Sequence, residues 1–249
     1  MSRPAPAWPL PRVFAHRCGG ALAPENTLAG LRIAQALGLG AVEFDVMLSA
    51  DGSPWLIHDE ALERTTSGTG RVCEATDAVL RRLDAGAYQH RAFAGEPLPT
   101  FAAAAALCRE LGLMANVEIK PAAGFEAITG EVVARQLVEL WQGAALPLVS
   151  SFSEAALEAA RRVSAQLPIG QLWVRPPDDW QQRLAALDGY SLHCSADEVD
   201  DALLGAARAA GVPVLCWTVN APEVAQSLWA RGVTSVFSDR IDLLSAQSP

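Results

Sequence analysis

The chain has 249 residues, a formal net charge of −9, 51% apolar residues and 19% charged residues. That composition supplies a large core and argues against disorder. The acidic balance, with no cluster of Lys or Arg, lacks the electrostatic footprint of a nucleic-acid binder or of a polybasic membrane contact.

The opening segment, MSRPAPAWPLPR, is proline-rich and lacks the apolar run of a signal peptide. No stretch approaches the ~18 consecutive apolar residues of a membrane span. The cysteines (Cys18, Cys73, Cys108, Cys194, Cys216) are scattered and form no CxxC pair, so neither a disulfide framework nor a zinc site is expected. A cytoplasmic location is the expectation.

Strand-like runs follow at RVFAHR (12–17), AVEFDVML (41–48), MANVEIK (114–120) and PLVSSF (147–152). They continue at PIGQLWV (168–174), GYSLHC (189–194), PVLCWTV (213–219) and TSVFSD (234–239). Between them lie segments with helical spacing, among them ENTLAGLRIAQALG, TFAAAAALCRELG, SEAALEAARRVS and APEVAQSLWARG; several end at a glycine (Gly38, Gly112, Gly211, Gly232). Eight strands alternating with helices over this length predict an α/β fold. A (β/α)8 TIM barrel, one domain over 1–249, is favoured over an open doubly wound sheet. After the second strand comes PWLIHD (54–59), then a turn-rich stretch too long for an ordinary βα loop. It predicts a small inserted subdomain at about 60–98, near the active face.

Strand alternation then assigns faces. In AVEFDVML, Val42, Phe44, Val46 and Leu48 form the apolar, helix-facing side, which leaves Glu43 and Asp45 pointing inward. In NVEIK, Val117 and Ile119 face the helices and Asn116, Glu118 and Lys120 face the interior. Val13 and Ala15 of the first strand likewise leave His16 on the interior side. Burying unpaired carboxylates is costly, so Glu43, Asp45 and Glu118 call for a cation or for matched partners. Their oxygen donors suit Mg²⁺ or Ca²⁺ better than zinc. Lys120 has a plain alternative, as a structural partner of Glu118 or Asp45. His16 and His58 can both approach such a cation and serve as general base and general acid toward a phosphodiester. Arg17 and Lys120 can stabilise charge on phosphoryl oxygens. Trp217 shares a face with Leu215 and is either an aromatic wall of the site or a packing residue. His193 shares a face with Ser191 and either lines the barrel mouth or is structural. His90, in the insertion, is expected to be solvated.

From about Arg12 to Leu244 the sequence resembles the glycerophosphodiester phosphodiesterase family, in its cytosolic bacterial branch. The resemblance is carried by AHRCGGALAPENTLAG (15–30), VEFDVMLSADGSPWLIHDEALERTTSGTG (42–70), EPLPTFAAA (96–104), MANVEIKP (114–121), VSSF (149–152) and WTVNAPEVAQSLWARGV (217–233). It implies a TIM barrel with an inserted subdomain, His16 and His58 as the catalytic pair, and Glu43, Asp45 and Glu118 as ligands of a divalent cation. It further implies phosphate contacts from Arg17 and Lys120, and cleavage of a small-molecule glycerophosphodiester to sn-glycerol 3-phosphate and an alcohol. No nucleic-acid or membrane partner is expected, and the chain is expected as a monomer or homodimer. A phospholipase D-like lipid hydrolase on the same barrel and a non-catalytic phosphodiester-binding barrel are the rival readings. Pro24-Glu25-Asn26-Thr27 is expected to open the first helix with Pro24 near its first turn; Glu25 or Asn26 supports the site, or the motif serves the helix start alone. Cys18 stands where the family carries glycine. It is tolerable at an ordinary backbone angle, and it would narrow the site or make it sensitive to oxidation.

Overall fold

The period-two apolar runs become strands because each can bury one face against helices and the other inside a closed sheet. The computed structural model describes residues 5–7 and 9–244, so Met1–Pro4 and Trp8 of the proline-rich opening segment lie outside the described residues. Eight parallel strands form the barrel: β1 (Val13–Ala15), β2 (Ala41–Leu48), β4 (Met114–Ile119), β5 (Leu148–Ser151), β6 (Ile169–Trp173), β7 (Ser191–Ser195), β8 (Val214–Trp217) and β9 (Ser235–Ser238). The ring closes where β1 pairs with both β9 (Phe14 opposite Phe237) and β2 (Ala15 opposite Val42).

The remaining strand, β3 (Pro54–Leu56), runs antiparallel to β2 outside the ring, with Val46 opposite Leu56. Its pairing was not evident in PWLIHD because three residues carry too little period to show a partner. The helices are α1 (Leu28–Ala36), α2 (Asp77–Leu80), α3 (Phe101–Leu111), α4 (Glu126–Leu140), α5 (Glu154–Val163), α6 (Trp180–Ala186), α7 (Asp201–Ala209), α8 (Pro222–Arg231) and α9 (Ile241–Leu244). Thr27, Thr100, Ser153 and Asp200 cap α1, α3, α5 and α7 by accepting a backbone N–H of the first turn. Thr27 is thus the cap and α1 begins at Leu28, so Pro24 lies ahead of the helix and not in its first turn. None of the helices described is long and apolar enough to cross a membrane.

Three apolar clusters divide the work. The largest joins the outward residues of the strands, including Val42, Phe44, Val117 and Ile119, to the helices. A second plugs the lower interior of the barrel with Phe14, Ala41, Leu148, Leu215 and Phe237; the Phe14 and Phe237 rings lie 5.2 Å apart. This plug leaves the C-terminal ends of the strands as the place where polar groups can open to solvent. The third cluster, Met47, Trp55, Ile57, Leu62, Val72, Leu80, Ala85 and Leu98, lies under the excursion between β3 and α3. Asp77 fastens that excursion to the β2–β3 hairpin by accepting from Ser49 Oγ (2.6 Å), Ser53 Oγ (2.7 Å) and Trp55 Nε1 (3.0 Å).

Helices α4 and α5 pack closely at Gly130, where an added Cβ would lie 2.1 Å from the Ala156 carbonyl oxygen. Gly130→Ala gains helix propensity of under about 1 kcal/mol. It must push backbone against backbone, at ~1–3 kcal/mol for overpacking. A fall of several degrees in Tm is therefore expected by calorimetry; an unchanged Tm would show that the two helices separate freely.

Candidate active site

Beyond β1 the chain makes a cramped turn. His16 N–H donates to the Ser238 carbonyl (3.0 Å), which holds His16 beside the end of β9. Arg17 (φ 50), Cys18 (φ 75) and Asn26 (φ 57) then adopt left-handed angles, each costing of order 1 kcal/mol or more outside glycine. Hydrogen bonds to β2 and within the turn offset that strain. Arg17 N–H donates to Glu43 Oε2 (2.9 Å), Cys18 N–H to the Glu43 carbonyl (2.7 Å) and Asn26 N–H to the Arg17 carbonyl (2.9 Å). Asn26 and Asp45 bond twice, Nδ2 donating to Asp45 Oδ2 (2.8 Å) and Asp45 N–H to Oδ1 (3.0 Å). Asn26 therefore supports the site as well as preceding the helix.

The sequence leaves the backbone angle at Cys18 open. Its backbone angle is left-handed, not ordinary, and its side chain is fully buried in the layer between barrel and helices. It does not line the cavity described below, so it does not narrow it. Burial pushes its thiol well up, which keeps it from the reactive thiolate form.

The inward carboxylates meet. Glu43, Asp45 and Glu118 each offer an oxygen within 4.8 Å of the other two. Glu43 and Asp45 are 3% and 1% exposed, and Glu43 Oε1 has no hydrogen-bond partner. Burial, then the charges of Asp45 and Glu118, raise the Glu43 carboxyl well above the usual range. Burial and Asp45 push Glu118 up to about 8 despite Lys120. Lys120 Nζ stands 3.5 Å from Glu118 Oε1 and 3.9 Å from Asp45 Oδ1, and Arg17 Nε 3.9 Å from Asp45 Oδ2. Two cations at such lengths leave this set under-neutralised. An all-oxygen donor set with an orphaned buried oxygen fits a divalent cation such as Mg²⁺ or Ca²⁺.

Two histidines flank the carboxylates, each with Nδ1 on a carboxylate of its own. His16 Nδ1 lies 2.7 Å from Asp239 Oδ1, and His58 Nδ1 lies 2.6 Å from Asp59 Oδ1. Such partners hold the proton on Nδ1 and leave Nε2 open; His16 Nε2 is 4.0 Å from Glu43 Oε2. Asp239 also accepts from Asn220 Nδ2 (3.2 Å). Burial lowers the basicity of His58, with Lys120 and Arg17 acting in the same direction against Asp45 and Asp59.

The three carboxylates, His16, His58, Arg17, Lys120 and Trp217 line one cavity of about 230 Å³, and Glu25 and Asn26 do not. Its aromatic wall is Trp217 with Phe152, their ring centroids 5.7 Å apart and edge-on. Trp217 thus serves as a wall of the cavity as well as packing on the lower plug. The inner end is Asn116, Ser150, Leu172, Phe237 and His193. His193 is fully buried beneath the mouth, bonded to Ser191 Oγ (2.9 Å) and kept neutral by burial, which takes it down to about 3. His90 is exposed and accepts from Ala92 N–H (3.1 Å), away from the cavity.

Sequence reasoning missed Asp59, Asp239, Arg64 and Phe152. Asp59 and Phe152 had local signals, an acid next to a candidate histidine and an aromatic at a strand end. Asp239 ended the last strand-like run, but nothing local paired it with His16, 223 residues away.

A family model described as the glycerophosphoryl diester phosphodiesterase family matches residues 16–243. A glycerophosphodiester phosphodiesterase of Caldanaerobacter subterraneus is 31% identical over 231 residues, 91% of this chain and 93% of that protein. One from Bacillus altitudinis is 27% identical over 235 residues, 92% and 95% of the two chains. The structure of a phosphodiesterase from Oleispira antarctica, in complex with the product sn-glycerol-3-phosphate, superposes with a TM-score of 0.92 and 36% identity, covering 95% of this chain and 96% of that one.

Proposed function

The chain belongs to the glycerophosphoryl diester phosphodiesterase family and is an enzyme of that class, and we propose that its cavity hydrolyses glycerophosphodiesters to sn-glycerol 3-phosphate and an alcohol by two-histidine, cation-assisted catalysis. The observation that carries this reading is the buried, under-neutralised trio of Glu43, Asp45 and Glu118 between two histidines anchored at Nδ1. The Oleispira antarctica relative's complex with sn-glycerol-3-phosphate supports the choice of product.

Glu43, Asp45 and Glu118 would hold the cation, which when bound withdraws electron density from a phosphoryl oxygen and offsets its charge. Arg17 and Lys120 bind the other non-bridging oxygen and fix the phosphorus between the histidines. At Nε2 one histidine takes the proton of the attacking hydroxyl, either of water or of the glycerol 2-position, as its oxygen forms the new P–O bond; the second route gives a cyclic phosphate that water then opens to glycerol 3-phosphate. The other gives a proton from Nε2 to the departing alkoxide as the old P–O bond breaks. Asp239 and Asp59 keep both rings turned and Nδ1 protonated throughout. Trp217 and Phe152 shield the cavity from bulk water and offer ring faces to the glycerol carbons.

The test is release of glycerol 3-phosphate from glycerophosphocholine and glycerophosphoethanolamine, assayed with Mg²⁺ and with Ca²⁺. Cation-dependent release is expected from at least one of the two. Release of product from lysophospholipid alone would favour a lipid hydrolase. No turnover with any cation would leave a binding barrel.

A further inference from the structure

Arg64 lies outside the catalytic cavity, in the excursion between β3 and α3, yet it touches both sides of the site. Its Nε donates to Asp59 Oδ2, while Asp59 Oδ1 holds His58 Nδ1. Its Nη1 and Nη2 donate to Glu25 Oε2 and Oε1, both at 2.7 Å, a two-pronged pair with the carboxylate. Glu25 in turn accepts from Arg17 Nη1 at 3.1 Å with each oxygen. One guanidinium therefore completes the line His58–Asp59–Arg64–Glu25–Arg17, joining the loop after β1 to the segment after β3.

The side chain of Arg64 is 45% exposed, and exposed ion pairs contribute little to stability. Its backbone is held firmly, however, between buried Leu62 and buried Thr65 and Thr66, with Thr66 Oγ1 donating to the Leu62 carbonyl (2.7 Å). An arginine with little to gain for stability, on a fixed backbone and saturated by two carboxylates that each hold an active-site cation or imidazole, is placed for geometry.

We propose that Arg64 is a positioning residue, setting His58 through Asp59 and releasing Arg17 toward the substrate by competing for Glu25. The idea rests on the reading of His58 as a proton-transfer group and of Arg17 as a phosphate contact. Without the guanidinium, Glu25 keeps only Arg17 as a cationic partner among the described residues and draws it from the cavity. Asp59 loses the group that fixes its outer oxygen, and the His58 ring loses its orientation.

The experiment compares Arg64→Met with Asp59→Asn and Glu25→Gln, singly and combined. Arg64→Met is expected to lower kcat about 10–100-fold, as loss of a supporting shell commonly does, and to raise KM several-fold, with Tm nearly unchanged. Two combinations distinguish positioning from mere structure. Adding Glu25→Gln to Arg64→Met should restore KM without restoring kcat, because the competitor for Arg17 is gone. Adding Asp59→Asn should lower kcat by less than the product of the two single losses, because both act on the same His58 ring. Arg64→Lys should recover part of kcat. The idea is overturned if Arg64→Met stays within two-fold of the parent in both constants, or if the losses from Arg64→Met and Asp59→Asn multiply. Nitrogen NMR of the His58 ring supplies a readout free of turnover. A changed tautomer balance in Arg64→Met supports the positioning role even if the parent fails on glycerophosphodiesters, and an unchanged ring overturns it.

Discussion

Alanine at His16 or His58 is expected to lower kcat by about 10²–10⁴-fold with little change in KM, the usual worth of a proton-transfer group. Both side chains are partly exposed, at 18% and 28%, so neither loss should open a core cavity and Tm should stay close to the parent's. The two substitutions together should cost little more than the more damaging one, because a proton relay with either end missing no longer works as a unit. Asp239→Asn is a sharper form of the same test. An amide can donate to Nδ1, which would move the ring proton of His16 to Nε2 and invert the tautomer. A loss of at least ~10-fold is expected from a change that leaves size and shape intact. If His16→Ala and His58→Ala both retain cation-dependent turnover, the pair is not the proton-transfer machinery.

The second large effect is expected from chelation. EDTA-treated protein should lose glycerophosphodiester turnover and regain it with Mg²⁺ or Ca²⁺. Its stability should also respond to pH in a defined direction. Without a cation, Glu118 is pushed up to about 8 from an ordinary 4.5, and Glu43 is raised well above its ordinary value. The folded chain then binds more protons than the unfolded chain between those limits. Stability is therefore full below about pH 4.5 and falls as pH rises toward 8. The total change is on the order of a few kcal/mol, after allowance for relaxation of the buried cluster. A bound cation would hold the carboxylates ionised and flatten that slope, so the Tm gain on adding cation should be larger at pH 8 than at pH 5. Equal Tm for the chelated protein at both pH values would mean that Arg17 and Lys120 already match the carboxylates.

The distribution of what was legible follows the range of each interaction. The faces of β2 and β4 could be read from alternation alone, since a strand places neighbours on opposite sides whatever surrounds it. That sufficed to turn Glu43, Asp45 and Glu118 inward together. The glycine ends of α3 and α8 were legible for the same local reason; Gly112 and Gly232 adopt left-handed angles there. The cap at Thr27, with α1 starting at Leu28 and Pro24 ahead of it, was harder, because capping depends on which side chain reaches the free N–H groups. The angle at Cys18 was not legible because a backbone angle is decided by the bonds of the whole turn, here those from Arg17 and Cys18 to Glu43.

The sequence by itself determined the strand-and-helix alternation, the inward set of carboxylates and the family-like order of His-Arg, Glu-x-Asp, His-Asp and Glu-x-Lys motifs, all of which are short-range patterns. Only the tertiary structure decided that Asp239 holds His16, that β3 folds back on β2 to deliver His58, and that Arg64 bridges Asp59 and Glu25. The pairings of Asp239 with His16 and of Arg64 with Glu25 join residues 223 and 39 positions apart, and the β2–β3 hairpin and the Arg64–Asp59 pair, though local, follow no strand or helix period. They are set by ring closure and by the packing of the excursion on its own apolar cluster, and no local period encodes either.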